Sequence, residues 1–424
     1  MSSLFDAFRS FRTRNYRLFW FGQLMSLAGT WMQDLALGWL VLSLTDSPMS
    51  LGLATAIRFL PVLLFSLHGG VLADRLRKRH TMIYCESLQL VVALILAVLT
   101  SVDLITVTII YVLAATRGLI DAVEGPMRQA FIPEMVGTEN LINAIALNST
   151  QFNAARIIGP AVGAVVLKAV GFAACFYINA ATFLAVIAAL LAMRVSELRL
   201  VPRLRREPML SQMREGLRYA RSTPDVVTIM IVVGAIGAFG YNFMTLTPLV
   251  TKYVLQQGAG TLGLLTSTMA VGSVLSALYV AYRGRPTRRL LLVPAGLFVV
   301  MLAAVGVSRW LPLTTALMFG LGVTGILFMT TANTRLQLSV PGHMRGRVMG
   351  IYGLLFVGTT PIGAYLMGQL ADAINVSTMV LIMAALCAVG VVWGALYIRK
   401  TGAKDIIETV ELKEGSTPDE ARTA

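Results

Sequence analysis

The chain is predicted to be an all-α integral membrane protein with twelve transmembrane helices, arranged as two pseudo-symmetric six-helix bundles. Three observations predict this: the shortage of charge, the length of the apolar segments, and the placement of lysine and arginine. Of 424 residues, 56% are apolar and only 13% are charged, where a soluble domain carries about a quarter charged. A soluble protein of this size lacks the polar groups to cover its surface, which excludes a cytosolic enzyme, a secreted domain and a disordered scaffold. At ~20 residues per span, twelve spans need ~240 residues. That leaves room for short loops and one longer linker, but no sizeable soluble domain.

The apolar segments fall at 16–44, 50–73, 80–101, 104–126, 141–169 and 172–193, then at 225–253, 260–282, 289–308, 311–334, 346–370 and 376–398. They are too long for barrel strands and show no period-2 alternation. Helices satisfy their own backbone groups in lipid, so a helical bundle follows. With the N-terminus in the cytoplasm, 29 of the 35 Lys and Arg residues lie inside, three (Lys168, Lys252, Arg309) lie outside and three lie within spans. That asymmetry sets the expected topology, with both termini cytoplasmic. The formal charge of +14 therefore reads as a topology signal rather than a nucleic-acid surface.

The domains expected are an N-terminal bundle at 1–193, a cytoplasmic linker at 194–224, a C-terminal bundle at 225–398 and a polar, disordered cytoplasmic tail at 399–424. The linker holds Pro202, Pro208 and many arginines, with a short interfacial helix expected from Met209 to Tyr219. A weak repeat at an offset of about 208 residues sets Asp34 opposite Asn242, Gln129 opposite Gln337, and Pro133, read as a loop residue, opposite Pro341. Duplicated bundles with a site between them are a frequent transporter design. The first apolar segment is long and polar-interrupted, and reads as a retained helix rather than a cleaved leader. Cys85, Cys175 and Cys387 are odd in number, far apart and inside apolar segments, so they read as packing residues.

After the second segment the chain reads Gly69-Gly70-Val71-Leu72-Ala73-Asp74-Arg75-Leu76-Arg77-Lys78-Arg79. This resembles the G-x-x-x-D-R-x-x-[RK] signature loop between helices two and three of the major facilitator superfamily. Gly159-Pro160-Ala161-Val162-Gly163 resembles the core of that superfamily's antiporter motif, without its upstream glycines. Asn15 to Trp20, Trp31-Met32-Gln33, Pro126 to Phe131 and Asn143 to Ser149 are similar to the drug-proton antiporter branch that includes enterobactin exporters and macrolide efflux proteins. The resemblance spans residues 10–400 or so and implies proton-coupled efflux of small amphipathic molecules by alternating access. It also implies an inner gate in which Gly70, Asp74, Arg75 and Lys78 of the signature loop work with Glu124. The loop Tyr282 to Arg289 keeps the basic residues of a second signature copy but lacks the Asp.

A charge inside the bilayer is costly and usually faces protein or a hydrated cavity. Asp34 and Arg58 lie ~12–15 Å below the outer surface at 1.5 Å per helical residue, on consecutive helices, and are the candidate proton-coupling pair. A permanent ion pair that only locks the helices is the competing reading. Arg117 shares a helical face with Asp121, so it either binds substrate or is neutralised by that carboxylate. Arg156 has no sequence-local acid and needs a partner from another helix or from substrate. Gln23, Ser26, Thr30 and Gln33, spaced three or four apart, form a polar stripe that predicts a hydrated face. Tyr241, Asn242 and Asn333 complete the candidate cavity set. Trp31, Trp39, Phe152, Tyr241, Phe243 and the 21 methionines are candidates for an adaptable apolar wall. Glu86 reads as a structural partner for the inner basic cluster. Gly159, Pro160 and Gly163 read as packing and bending residues. The second-half spans are read as free of acid before Asp372, which assigns proton chemistry to the first half.

The function expected is a secondary exporter in a bacterial cytoplasmic membrane, with an importer or a lipid-like flippase on the same fold as the alternative. Unpaired arginines favour anionic solutes of siderophore type, whereas the aromatic and methionine content favours hydrophobic drugs. The partners expected are a small-molecule substrate, protons and the bilayer, with no nucleic acid and a monomeric state. The three histidines, His68, His80 and His343, are scattered, and no H-E-x-x-H or G-x-x-x-x-G-K-[ST] pattern occurs. No enzyme activity, metal or cofactor is therefore expected.

Overall fold

The computed structural model describes residues 8–199, 209–283, 286–356 and 358–402. The middle of the expected linker and the expected tail from 403 onward lie outside the described residues. Among these residues fifteen α-helices and no strands are found. In order they are α1 (Arg14–Thr45), α2 (Pro48–Arg75), α3 (Lys78–Ser101), α4 (Val107–Val136), α5 (Leu141–Ala169), α6 (Phe172–Leu191), α7 (Met209–Ser222) and α8 (Pro224–Ala235). They continue with α9 (Phe243–Leu249), α10 (Ala259–Arg283), α11 (Arg288–Val307), α12 (Leu311–Ser339), α13 (Gly342–Phe356), α14 (Thr360–Ala373) and α15 (Val376–Thr401).

Local chemistry explains many of the boundaries. Ser47 caps α2 by accepting from Ser50 N, with Pro48 in the first turn, where its missing N–H costs nothing. Thr106, Thr287 and Asn375 cap α4, α11 and α15 in the same way. The helix α4 runs ten residues past the expected end at Pro126, so Pro133 is helical rather than in a loop. It stops at Gly137, whose φ of 74° is open to glycine and strained for other residues.

Ten segments among the described residues are long and apolar enough to cross a membrane. The two long helices that fall short are α1 and α4, 32 and 30 residues in length. Both carry polar residues of the candidate site, Gln23, Gln33 and Asp34 in the first, and Arg117, Asp121, Glu124 and Arg128 in the second. Large apolar side chains such as Leu88, Val165, Leu278, Val300 and Trp393 stand exposed on the outside. A surface of that kind suits lipid and not water, so the chain is a multi-pass membrane protein.

The seventh expected span is not one regular helix. Pro224–Val254 is broken by wide π turns at Ile236–Gly240 and Val250–Val254. In the first, Tyr241 N reaches back five residues to Ile236 O at 2.8 Å. Such turns recur at functional sites, and this one presents Tyr241, Asn242 and Phe243. The eleventh span is also interrupted, between α13 and α14.

The helices α1 to α6 pack on one another, and α8 to α15 form a second group. The groups meet where α2 packs on α14 and α5 on α10. Both meetings use small residues near the end remote from Arg14 and Thr401, here termed the far end. A Cβ on Gly52 would stand 2.5 Å from Ala364 O and 2.8 Å from Gly368 Cα, and one on Gly263 would stand 2.0 Å from Ala164 Cβ. The opposite end carries Arg14 and Thr401 and is termed the terminal end. The helix expected near Met209 forms as α7 and packs on α13 at that end. There Tyr219 donates to Ser339 O at 3.1 Å and Arg347 pairs with Glu215.

Candidate functional site: a charged central cavity

A cavity of about 410 Å³ lies between the two groups and is lined from both. Its volume is that of a small-molecule site. The wall from the first group holds seven ionisable side chains: Asp34, Arg58, Arg117, Asp121, Glu124, Arg128 and Arg156. The wall from the second group holds no Asp, Glu, Lys, Arg or His. It presents Tyr241, Asn242, Phe243, Met244, Met269 and Phe356, with Tyr241 5.1 Å from the rings of both Phe243 and Phe356.

Backbone contact assembles the charged wall. A Cβ on Gly118 would meet Arg58 O at 2.1 Å, so glycine there lets α2 and α4 touch and sets Arg58 beside Arg117. Both guanidiniums converge on one carboxylate oxygen. Arg58 Nη1 lies 2.8 Å and Arg117 Nη1 2.6 Å from Asp34 Oδ1, all three side chains being largely buried. Arg58 Nη2 reaches Asp121 Oδ2 at 3.7 Å. Asp121 also accepts from Gln89 Nε2 at 2.8 Å, and with 31% of its side chain exposed it is the wettest carboxylate of the cluster. Three helices are thus joined by one shared carboxylate. The expected Asp34–Arg58 pair forms, but Arg117 goes to Asp34 and not to Asp121, its neighbour one turn on. A helical side chain leans towards the N-terminus of its helix, which carries the Arg117 fork away from Asp121 and across to α1.

Towards the terminal end, Glu124 pairs with Arg128 one turn along α4. Lys78 pairs with Glu134 at 2.6 Å, not with Glu124 as the resemblance implied. Glu134 lies more than two turns nearer the end of α4, level with the start of α3. Arg75 is exposed at the end of α2, Gly70 lies within α2, and the side chain of Asp74 lies outside the described residues. Glu86 is not a partner of the signature-loop cations. It is buried, accepts from Gln23 Nε2 at 2.5 Å, and leaves its second oxygen without a partner.

Of the polar stripe on α1, Ser26 and Thr30 line the cavity. Gln23 turns to Glu86, and Gln33 accepts from Asn179 on α6 at 2.8 Å. Tyr241 and Asn242 line the cavity as expected, whereas Asn333 bonds Gln337 on its own helix at 2.6 Å and is not part of the lining. Trp31 and Phe152 line the cavity and Trp39 packs in the core. Gln89, Phe59, Arg128 and Phe356 are among the lining residues that were not anticipated. Gln89, an isolated amide in an apolar span, was the detectable one.

A second cluster was also missed. Asp225, in the first turn of α8, is buried and pairs with Arg288 at 2.9 Å and Arg335 at 3.2 Å. The second half therefore does hold an acid ahead of Asp372, at the edge of its first span. It joins α8, α11 and α12 at the terminal end and lies outside the cavity.

Gly159 and Gly163 pack α5 on α1. A Cβ on Gly159 would sit 2.5 Å from both Ala28 O and Trp31 Cβ, and one on Gly163 would sit 3.1 Å from Met32 Cγ. Gly159→Ala is expected to cost about 1–3 kcal/mol by overpacking. Gly163→Ala should cost less, because no atom of Met32 comes nearer than 3.1 Å. Melting of the two variants in detergent checks the order.

Polar contacts tie the groups together from the middle to the far end. Thr245 and Thr55 hydroxyls lie 3.3 Å apart, Ser47 donates to Asp372 at 3.2 Å, and Asp46 takes Lys252 at 2.8 Å and Tyr253 at 3.0 Å. Hydrogen bonds from Lys252 and then Tyr253 hold the Asp46 carboxyl below its ordinary range. A lowered acid contributes stability above its unfolded value and loses it as pH falls through the folded one. Acidification below the carboxylate range should therefore loosen this latch, and Asp46→Asn should remove the dependence. Maleimide labelling of Leu51→Cys against pH reads both, with a change of no more than a few-fold, since the pair is exposed.

A family model described as transmembrane secretion effector matches residues 5–418 of the chain. The multidrug efflux pump Tap of Mycolicibacterium fortuitum is 28% identical, over 83% of this chain and 88% of that protein. The staphyloferrin A transporter of Staphylococcus aureus is 25% identical, over 85% and 90%. Among solved structures, a bacterial homologue of the human lysosomal transporter Spinster, inward-facing and unoccupied, superimposes with a TM-score of 0.74 at 12% identity, covering 91% of this chain and 97% of that one. That likeness extends the match to the whole helical architecture. With its two helix groups around a cavity and a family match over nearly its entire length, the chain belongs to the transmembrane secretion effector family of the major facilitator superfamily, and is a transporter rather than an enzyme.

Proposed function

We propose that the protein is a proton-coupled exporter of small amphipathic molecules, acting as a monomer in the cytoplasmic membrane of a bacterium. Twelve helices cross the bilayer, with both termini and the 194–224 linker in the cytoplasm and the halves at 1–193 and 225–398 rocking about the cavity. The observation that carries this reading is the single carboxylate of Asp34 shared by Arg58 and Arg117 in the cavity wall. A structural pair needs one partner of each sign. Here one carboxylate oxygen holds two cations from two other helices, and a second carboxylate, Asp121, waits beside Arg58.

A proton on Asp34 removes the charge that holds both guanidiniums and frees α2 and α4 to shift against α1. Arg58 then has Asp121 as its remaining partner. The far-end contacts at Gly52, Gly368 and Asp46 support a state closed to the outside, in which substrate enters from the cytoplasm. In the opposite state, open to the outside, a proton taken up by Asp34 would accompany release of substrate from the cavity. The multidrug efflux of one relative supports the direction, and it and the staphyloferrin A transport of another support a small-molecule cargo. The test is accumulation of an amphipathic fluorescent dye in energised everted membrane vesicles. Uptake that needs the protein and collapses with a protonophore supports the reading. Uptake that ignores the protonophore contradicts it.

A further inference from the structure

The ionisable side chains of the cavity do not cancel. Three carboxylates (Asp34, Asp121, Glu124) face four guanidiniums (Arg58, Arg117, Arg128, Arg156). Arg58 and Arg117 share Asp34, and Arg128 takes Glu124. Arg156 has no carboxylate within ion-pair distance among the described residues. Its Nη2 donates to the neutral Asn153 one turn back at 3.1 Å, and its buried Nε has no acceptor. A guanidinium carries five N–H donors in a planar fork, so most of this one is unused. An uncompensated cation at that depth is costly, and the cost falls when an anion occupies the fork.

The surroundings define the rest of the occupant. Arg156 stands beside Phe152, which meets Trp31 edge to face at 5.8 Å, and all three line the cavity. The facing wall is aromatic and uncharged. We propose that Arg156 anchors an anion subsite that takes the carboxylate head of an amphipathic organic acid, whose apolar body lies against Tyr241, Phe243 and Phe356. The subsite rests on the transport reading above and adds the charge class of its cargo. A carboxylate matches the planar fork with two parallel bonds. A cation would meet a wall with one guanidinium in excess.

The test uses purified protein in detergent and two probes, 11-(dansylamino)undecanoic acid and its primary amide, with dansyl emission reporting binding. The acid should bind about ten-fold more tightly than the amide, the ratio expected of one charge-assisted contact. In Arg156→Gln the ratio should fall to near one, and in Arg156→Lys an intermediate ratio should survive, because the charge remains without the fork. Equal binding of acid and amide to the unaltered protein overturns the subsite. So does an equal weakening of both probes in Arg156→Gln, which marks a packing role. The transport reading fails separately, when energised vesicles move neither probe. If they move the amide as well as the acid, only the subsite is lost.

Discussion

Asp34→Asn is expected to abolish coupled transport. The amide keeps the shape of the carboxylate but not its charge, so Arg58 and Arg117 remain buried with no counter-charge on α1. Breaking a buried pair from one side costs about 3–5 kcal/mol, and here one carboxylate oxygen serves two cations at 2.8 and 2.6 Å. Arg58 can turn to Asp121, from which it lies 3.7 Å, which moderates the loss. Asp121 also shares a helical face with Arg117, but one carboxylate cannot neutralise both guanidiniums. The melting temperature in detergent should fall clearly in the single variant. In the double variant Asp34→Asn, Arg58→Gln it should recover in part, because one stranded charge has gone. Transport should not recover with it. Stability regained without transport assigns the pair to coupling. Transport regained alongside stability returns it to a purely structural role.

The second large effect is at the far-end closure. Gly52 and Gly368 let α2 and α14 touch backbone to backbone, and a Cβ on either would stand within 2.9 Å of backbone atoms of the other helix. A main chain cannot move aside as a side chain can. Gly368→Leu should therefore prevent this closure while leaving each helix group intact, since the contact lies between the groups. The population should shift to the state open at the far end, and transport should drop by about ten-fold or more, the response to a bias of 1.4 kcal/mol or greater. A cysteine placed at Thr245, beside Thr55 in the middle of the contact, gives the readout. In Gly368→Leu an impermeant maleimide should reach it from the far side faster than in the parent. The native cysteines, all three buried, should contribute little background.

The segments legible in the sequence were those set by hydropathy, and the pair legible in it was the one placed by depth. Lipid demands long apolar helices whatever their neighbours, so most span limits lie within a few residues of the structure. Asp34 and Arg58 were legible because consecutive antiparallel helices are neighbours and both residues sit at the same depth. Helix rotation was not legible. Gln23, Gln33 and Asn333 looked like a hydrated face, yet Gln23 and Gln33 turn to α3 and α6, and Asn333 stays with its own helix. Glycines such as Gly118 and Gly159 set how close and at what angle the helices pass, and these contacts form only in three dimensions. The same holds for Lys78, whose partner is fixed by where α4 ends. That end lay hidden behind two prolines usually read as loop signals. The π turn before Tyr241 follows no proline and has no local sequence mark.

Exchange of substrate and protons through one cavity can be followed with purified protein in liposomes loaded with a pH-sensitive dye, under an imposed proton gradient, with an amphipathic substrate added. Proton flux should start on substrate addition, saturate with substrate and disappear in Asp34→Asn. Substrate movement with no proton flux, or flux unchanged in Asp34→Asn, would contradict that exchange.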